Sequence, residues 1–111
     1  MGVTIRDAYT GQLAAAAATL YTAGTGTRVR ILKATATNDT TTAVTFTIYK
    51  IPSGGAAGAD NMIINGKTLG SQEPYTCPEL VGHCLDPGDF IQGFASAANQ
   101  VTFFLSVVEM T

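Results

Sequence analysis

Tryptophan is absent from this 111-residue chain, histidine occurs once and cysteine twice. Charge is scarce as well: Asp, Glu, Lys and Arg make up 13% of residues, against about 25% in an average soluble domain. Each shortage excludes something. With one histidine, His83, no Gly-x-Ser-x-Gly elbow and no paired acids at a recognisable spacing, no catalytic set is visible, and the chain is not expected to be an enzyme. A net charge of −2 provides no basic field to attract nucleic acid. Leu13–Ala18 is apolar but lacks a basic flank and falls far short of the ~20 residues that cross a bilayer, so a soluble product made in the cytosol is expected.

The rarer residues show no site chemistry. "CPELVGHC" brings Cys77, His83 and Cys84 close in sequence. Zinc sites space their cysteines more tightly and need four ligands, so no metal is expected here. A disulfide across a turn at Pro78 and Gly82 stays open, with two small buried thiols as the expected state of a cytosolic product. "NGKT", Asn65–Thr68, has Asn61 where a phosphate-binding loop needs glycine, and no helix follows it. No cofactor is implied. Arg28, Arg30 and Lys33 read as the solvated face of one strand. Asn38-Asp39-Thr40 matches a glycosylation acceptor but reads as the tip of a β-turn. Asp86 and Asp89 flank a turn, where aspartate bonds locally to backbone.

What is present is β-structure. Hydrophobic residues reach 46%, and much of the polar remainder is Thr, Ser and Gly. A surface of that kind suits burial against neighbours, which points to an oligomer. Thr27–Asn38 alternates until Leu32, where the apolar phase slips by one, so a bulge is predicted near Ile31–Leu32. Ala43–Ile51 alternates cleanly and Pro52 ends it. Asn65-Gly66, between two short apolar runs, predicts a hairpin turn. Pro74 and Pro78 restrict residues 73–85 to short or edge strands. "DPGD", Asp86–Asp89, is a turn. Phe90–Ser96 and Val101–Met110 are two long strands. The count is about eight strands with no convincing helix, which predicts a single-domain antiparallel β-sandwich, jelly-roll-like.

The last strand is apolar on both faces: Phe103, Leu105 and Val107 on one, Phe104, Val108 and Met110 on the other. One face meets the core. The second, Phe104, Val108 and Met110, is the candidate oligomer interface, because leaving it wet forgoes about 1.5–3 kcal/mol per large side chain. Cover by the protein's own N-terminal segment is the alternative.

Three stretches resemble a group of small tailed-bacteriophage virion proteins: "QLAAAAATLYTAGTGTRVRI", "VTFTIYKIPSGGAAGADN" and "LDPGDFIQGFASAANQVTFFLSVVEMT". The shared features are the Leu-Tyr-Thr opening strand, the Ile-Pro-Ser-Gly-Gly loop and the Gly-Asp-x-Ile-Gln ending. They are turns and strands, and they span nearly the whole chain. "TAGTGT" and the two cysteines depart from the pattern without threatening the fold. The resemblance implies a β-sandwich that assembles as a homo-oligomer, a trimer, on the phage particle. It also bears on the alanine run. An isolated six- or seven-residue helix is marginal even in alanine, and Thr19–Thr22 favours a strand. Residues 1–18 are therefore read as an arm, with Val3, Ile5 and Tyr9 as anchors on a capsid, leading into a sandwich domain of residues 19–111. A short helical turn within Gln12–Ala18 stays open.

The expected role is that of a head decoration, or cement, protein located in the virion, with the major capsid protein as partner. A neck or tail adaptor or fibre component is the alternative within the particle. A carbohydrate-binding sandwich is a third reading, weakened by the missing tryptophan.

Overall fold

The computed structural model describes residues 2–111. Its strands are β1 (Val3–Gln12), β2 (Ala18–Thr22), β3 (Arg28–Asn38), β4 (Val44–Ile51), β5 (Met62–Leu69), β6 (Pro74–Tyr75), β7 (Cys84–Leu85), β8 (Phe90–Ala95) and β9 (Val101–Met110). A 3-10 turn at Ala59–Asn61 is the only helical piece among the described residues. The first sheet runs β1-β9-β3-β6, with β7 also paired to β3, and the second runs β2-β8-β4-β5. Strands from the two ends of the chain therefore pair: β1 with β9, β2 with β8, β3 with β6 and β7, and β4 with β5. This is a long antiparallel ribbon rolled into a sandwich, the jelly-roll winding. The proline-bearing segment supplies two two-residue strands, β6 and β7, which brings the number to nine.

The core lies between the sheets and follows from alternation. Val101, Phe103, Leu105 and Val107 of β9 are fully buried, and they face Phe46, Ile48, Ile91 and Ala95 of the second sheet. On β3 the register with β9 shifts between Ile31 and Lys33. Leu32 is the extra residue and is pushed outward, so that Val29 and Ile31 before it and Ala34 and Ala36 after it all reach the core.

Four expectations about the course of the chain change. Residues 3–12 are not a free arm but a full edge strand, paired with β9 from Val3↔Met110 to Gln12↔Thr102. Nine of its ten residues pair with β9, satisfying backbone groups there that would otherwise be open. The alanine run is neither helix nor arm: it carries the chain from one sheet to the other. Leu13 plugs the core, its N–H donating to the Val101 carbonyl at 2.9 Å, and one residue later the Ala14 carbonyl accepts from Ala95 at 2.9 Å.

Asn65-Gly66 makes no hairpin. β5 is one strand along β4, and its register slips where Asn65 and Gly66 pass Thr47. Gly66 uses its left-handed φ of 59° for the bulge, and its N–H donates to Thr47 Oγ1 at 3.0 Å. The apolar runs on either side are too short to pair with each other when β4 offers both a partner. Asn38, expected at a turn tip, is fully buried. Its amide donates to the carbonyls of Thr42, Leu69 and Gly70, and its Oδ1 accepts from Thr40. It is the hub that fixes the end of β3, and it is closed to glycosylation.

Candidate functional site

In an antiparallel ladder, residues directly opposite each other share a face. The registers of β1, β9 and β3 therefore sort the outer surface of the first sheet into rows. One row is Val3–Met110–Arg28 and the next Ile5–Val108–Arg30, extended by Cys84 of β7. The middle row is Asp7–Ser106–Lys33, followed by Thr10–Phe104–Thr35 and Gln12–Thr102–Thr37.

This face collects unburied apolar surface. Val3 is 69% exposed, Ile5 76%, Phe104 47% and Met110 39%, and with Leu32, pushed outward at the β3 bulge, they are five of the six exposed large hydrophobics among the described residues. Val108 is half-buried between Ile5 and Arg30. At the end of the sheet Val3, Met110, Arg28 and Pro87 line an open, largely apolar groove of ≈520 Å³. The face thus unites residues that the sequence assigned to separate tasks. Phe104, Val108 and Met110 stand together with Val3 and Ile5. Tyr9 does not join them: β1 bulges between Asp7 and Tyr9, which turns Tyr9 inward, and its ring packs 6.3 Å from that of Phe103. The outward placement of Val3 and Ile5 had a signal in sequence, since "VTIRD" alternates with the strand period.

Charge on this face is divided by strand. Asp7 lies on β1, while Arg28, Arg30 and Lys33 lie on β3. Arg28 pairs with Asp86 at 2.8 Å across an open surface. Asp7 accepts a hydrogen bond from Thr10 Oγ1 at 2.8 Å. Among the described residues the two ion pairs are Arg6–Glu109 and Arg28–Asp86, so Asp7, Arg30 and Lys33 carry none.

Elsewhere the polar clusters serve the fold. A cleft of ≈330 Å³ is lined by Lys50, Asp60 and Asp89, but the Asp89 carboxylate already accepts from the backbone of Ser53 and of Asp86, both at 3.0 Å. Tyr75 donates to Glu79 at 2.5 Å with the Lys67 ammonium 4.7 Å from its ring, tying β6 of one sheet to β5 of the other. The Glu79 carboxylate raises the Tyr75 phenol to about 12, and the same bond holds Glu79 below the usual carboxylate range. On the outer face of the second sheet Tyr49 and Phe94 stack with ring centroids 6.2 Å apart, but Tyr49 is 9% exposed and presents no open platform. Both cysteines are free. Cys77 is buried, which pushes its thiol up to about 12, whereas Cys84, expected to be buried, is exposed because β7 is a two-residue edge strand that turns it outward beside Arg30. No three metal-ligating side chains come together among the described residues, and no helix there is long and apolar enough to cross a membrane.

No protein-family model matches the chain, and no curated protein matches it by sequence. Its fold is similar to that of a subunit of Bacillus endospore appendages, a family of disulfide-linked pili, with a TM-score of 0.51 and 19% identity over 99% of this chain and 85% of that one. Weaker likenesses connect it to infectious bursal disease virus. The T13 viral particle matches with a TM-score of 0.43 and 12% identity over 97% of this chain, and the VP2 subviral particle with 0.43 and 17% over 97%. This chain spans 30% and 32% of those viral chains. The likeness to the appendage subunit is one of fold.

Proposed function

We propose that this protein is a non-enzymatic structural subunit of a virion, a head decoration protein that binds other copies of itself through the outer face of its first sheet. The observation that carries this reading is the apolar surface of that face, on a sheet whose inner face is already filled by the core. A solvated sheet face would be expected to alternate to polar residues; here Val3, Ile5, Val108, Met110 and Phe104 take those places. The fold likeness to a subunit that builds pili supports a role in assembly, and the sequence resemblance to small tailed-phage virion proteins supplies the particle. Stabilisation of the shell would follow from mass action: a protein that binds the assembled shell and not its dissociated subunits shifts the balance towards the shell.

The trimer implied by the resemblance would require two different patches joined head to tail, whereas one self-complementary patch closes as a pair. The mass of the purified protein separates these. The test of the role is stoichiometry: this chain is quantified against the major capsid protein in purified particles. Hundreds of copies in a simple ratio to the shell subunit are expected. A few dozen copies would move the protein to the neck or tail, and none would remove it from the particle.

A further inference from the structure

From the arrangement of charge on the outer face of the first sheet we infer that two copies pack face to face about a twofold axis running along β9, with Asp7 of each over Lys33 of the other. This rests on the reading that the face joins copies, and adds which copy meets which, and how.

β9 is the middle strand of the three that carry the face, flanked by β1 and β3. Asp7 and Lys33 are paired in register with the same residue, Ser106. Within one copy they are therefore two strand spacings apart, about 9.6 Å, and make no ion pair. A twofold axis along β9 exchanges the two flanks while keeping the level along the strand. Asp7 of one copy then stands over Lys33 of the other, twice in the pair. The alternative axis, across the strands, keeps each flank over itself. Centred on this row, it sets Asp7 against Asp7 and Lys33 against Lys33, with Arg30 still on a cationic flank. Only the axis along β9 makes the charges complementary.

The rest of the face is consistent with that axis. Phe104, Val108 and Met110 lie on β9 itself and meet their own counterparts. Val3 and Ile5 fall over the second copy's Arg28 and Arg30, whose aliphatic stems can cover them while their charged heads reach the rim. Facing twisted sheets cross at about 30°, which inclines the axis by about half that angle from β9 and displaces most the rows far from the centre. The Asp7–Ser106–Lys33 row is the third of the five outward rows, where that displacement is smallest. Ser106, small and on the axis, leaves space for the flanking pairs.

The test is a charge-swap cycle read by sedimentation equilibrium on the full chain. The wild type is expected at twice the 11.5 kDa chain mass. Asp7→Lys alone and Lys33→Asp alone should each weaken the pair about tenfold or more, and the double swap should return it to within about threefold of wild type. A wild-type dimer that Phe104→Lys disperses but whose double swap is no better than the worse single variant would overturn the twofold arrangement and leave the face as an interface. A trimer would overturn the arrangement as well. A wild-type monomer at every concentration would overturn both. If either reversal loses its cooperative melt, Asp7→Asn and Lys33→Gln carry the same cycle: independent effects overturn the pairing, and coupled effects support it.

Discussion

Tyr21 donates its hydroxyl hydrogen bond to the carboxylate of Glu109, joining β2 in the second sheet to β9 in the first. Arg6 Nε donates to the other carboxylate oxygen at 3.0 Å, so one acid near the end of the last strand holds β1 and β2 together. Burial first, and then the neighbouring acceptor, push the Tyr21 phenol up from its ordinary value. Tyr21→Phe keeps the ring and removes only the bond. Since the group is partly solvated, the loss should be about 1 kcal/mol, or roughly 5 °C in melting temperature for a domain of this size. An unchanged melting curve would mean that the two sheets do not rely on this link.

Gly93 sits on β8 opposite Ile48. A Cβ there would stand 2.7 Å from Ile48 Cδ1 and 3.2 Å from the Thr47 carbonyl oxygen and Leu20 Cδ1. The methyl of Ile48 can turn away, but the Thr47 backbone cannot without disturbing β4. Gly93→Ala should therefore destabilise by about 1–3 kcal/mol despite the higher strand propensity of alanine, as measured by urea denaturation.

Asn38→Asp should be among the most damaging single-atom exchanges in the chain. It replaces an amide that donates to three carbonyl oxygens with a group that at neutral pH cannot donate, at a fully buried position. The cost should be about 3 kcal/mol or more at pH 7. Part of it should be recovered at pH 4, where a protonated carboxyl can donate again; equal destabilisation at both pH values would count against this account.

The cysteines should differ in reactivity. Native protein is expected to consume one equivalent of a thiol reagent at Cys84, and a second, at Cys77, only after denaturation. Two fast equivalents in the native state would contradict the burial of Cys77.

The same burial gives a pH dependence with a defined sign. The folded Cys77 thiol keeps its proton up to about 12, while in the unfolded chain the thiol ionises at about 8.5. Below that value both states hold the proton and the contribution to stability is complete. As pH rises from there towards 12 the unfolded state alone releases a proton, so stability falls. The phenol of Tyr75, raised to about 12, acts in the same direction at higher pH. Melting temperatures from pH 8 to pH 11 should decline, and Cys77→Ala should flatten the first part of the decline.

Much of the fold was legible because strand alternation is a local signal. Val101–Met110 declared a buried face and an apolar outer one, and the slip of phase at Leu32 marked a bulge that the register with β9 locates there. The turn at Asp86–Asp89 was equally local: the Asp89 N–H donates to the Asp86 carbonyl at 2.9 Å and Gly88 takes a φ of 89° at the third position. Where the reading failed, the deciding partner was distant in sequence. Asn65-Gly66 has the residues of a hairpin, but a bulge needs the same left-handed glycine. Only the presence of β4 alongside distinguishes the two. Asn38 looked like a turn residue until Leu69 and Gly70 were brought to its amide.

Strand alternation and the two-faced last strand were written into the sequence, because each depends on residue identity at fixed local spacing. The alternation of "VTIRD" allowed a strand, but what residues 3–12 pair with was settled by the fold, since it depended on a free edge of β9 about a hundred positions away. The fold also decided that Val3, Ile5, Val108 and Met110 form one surface, and that Asp7 and Lys33 lie level with each other on either side of Ser106. Register between distant strands sets those relationships, and register is fixed by which hydrophobic faces can be buried together, a property of the whole packed chain.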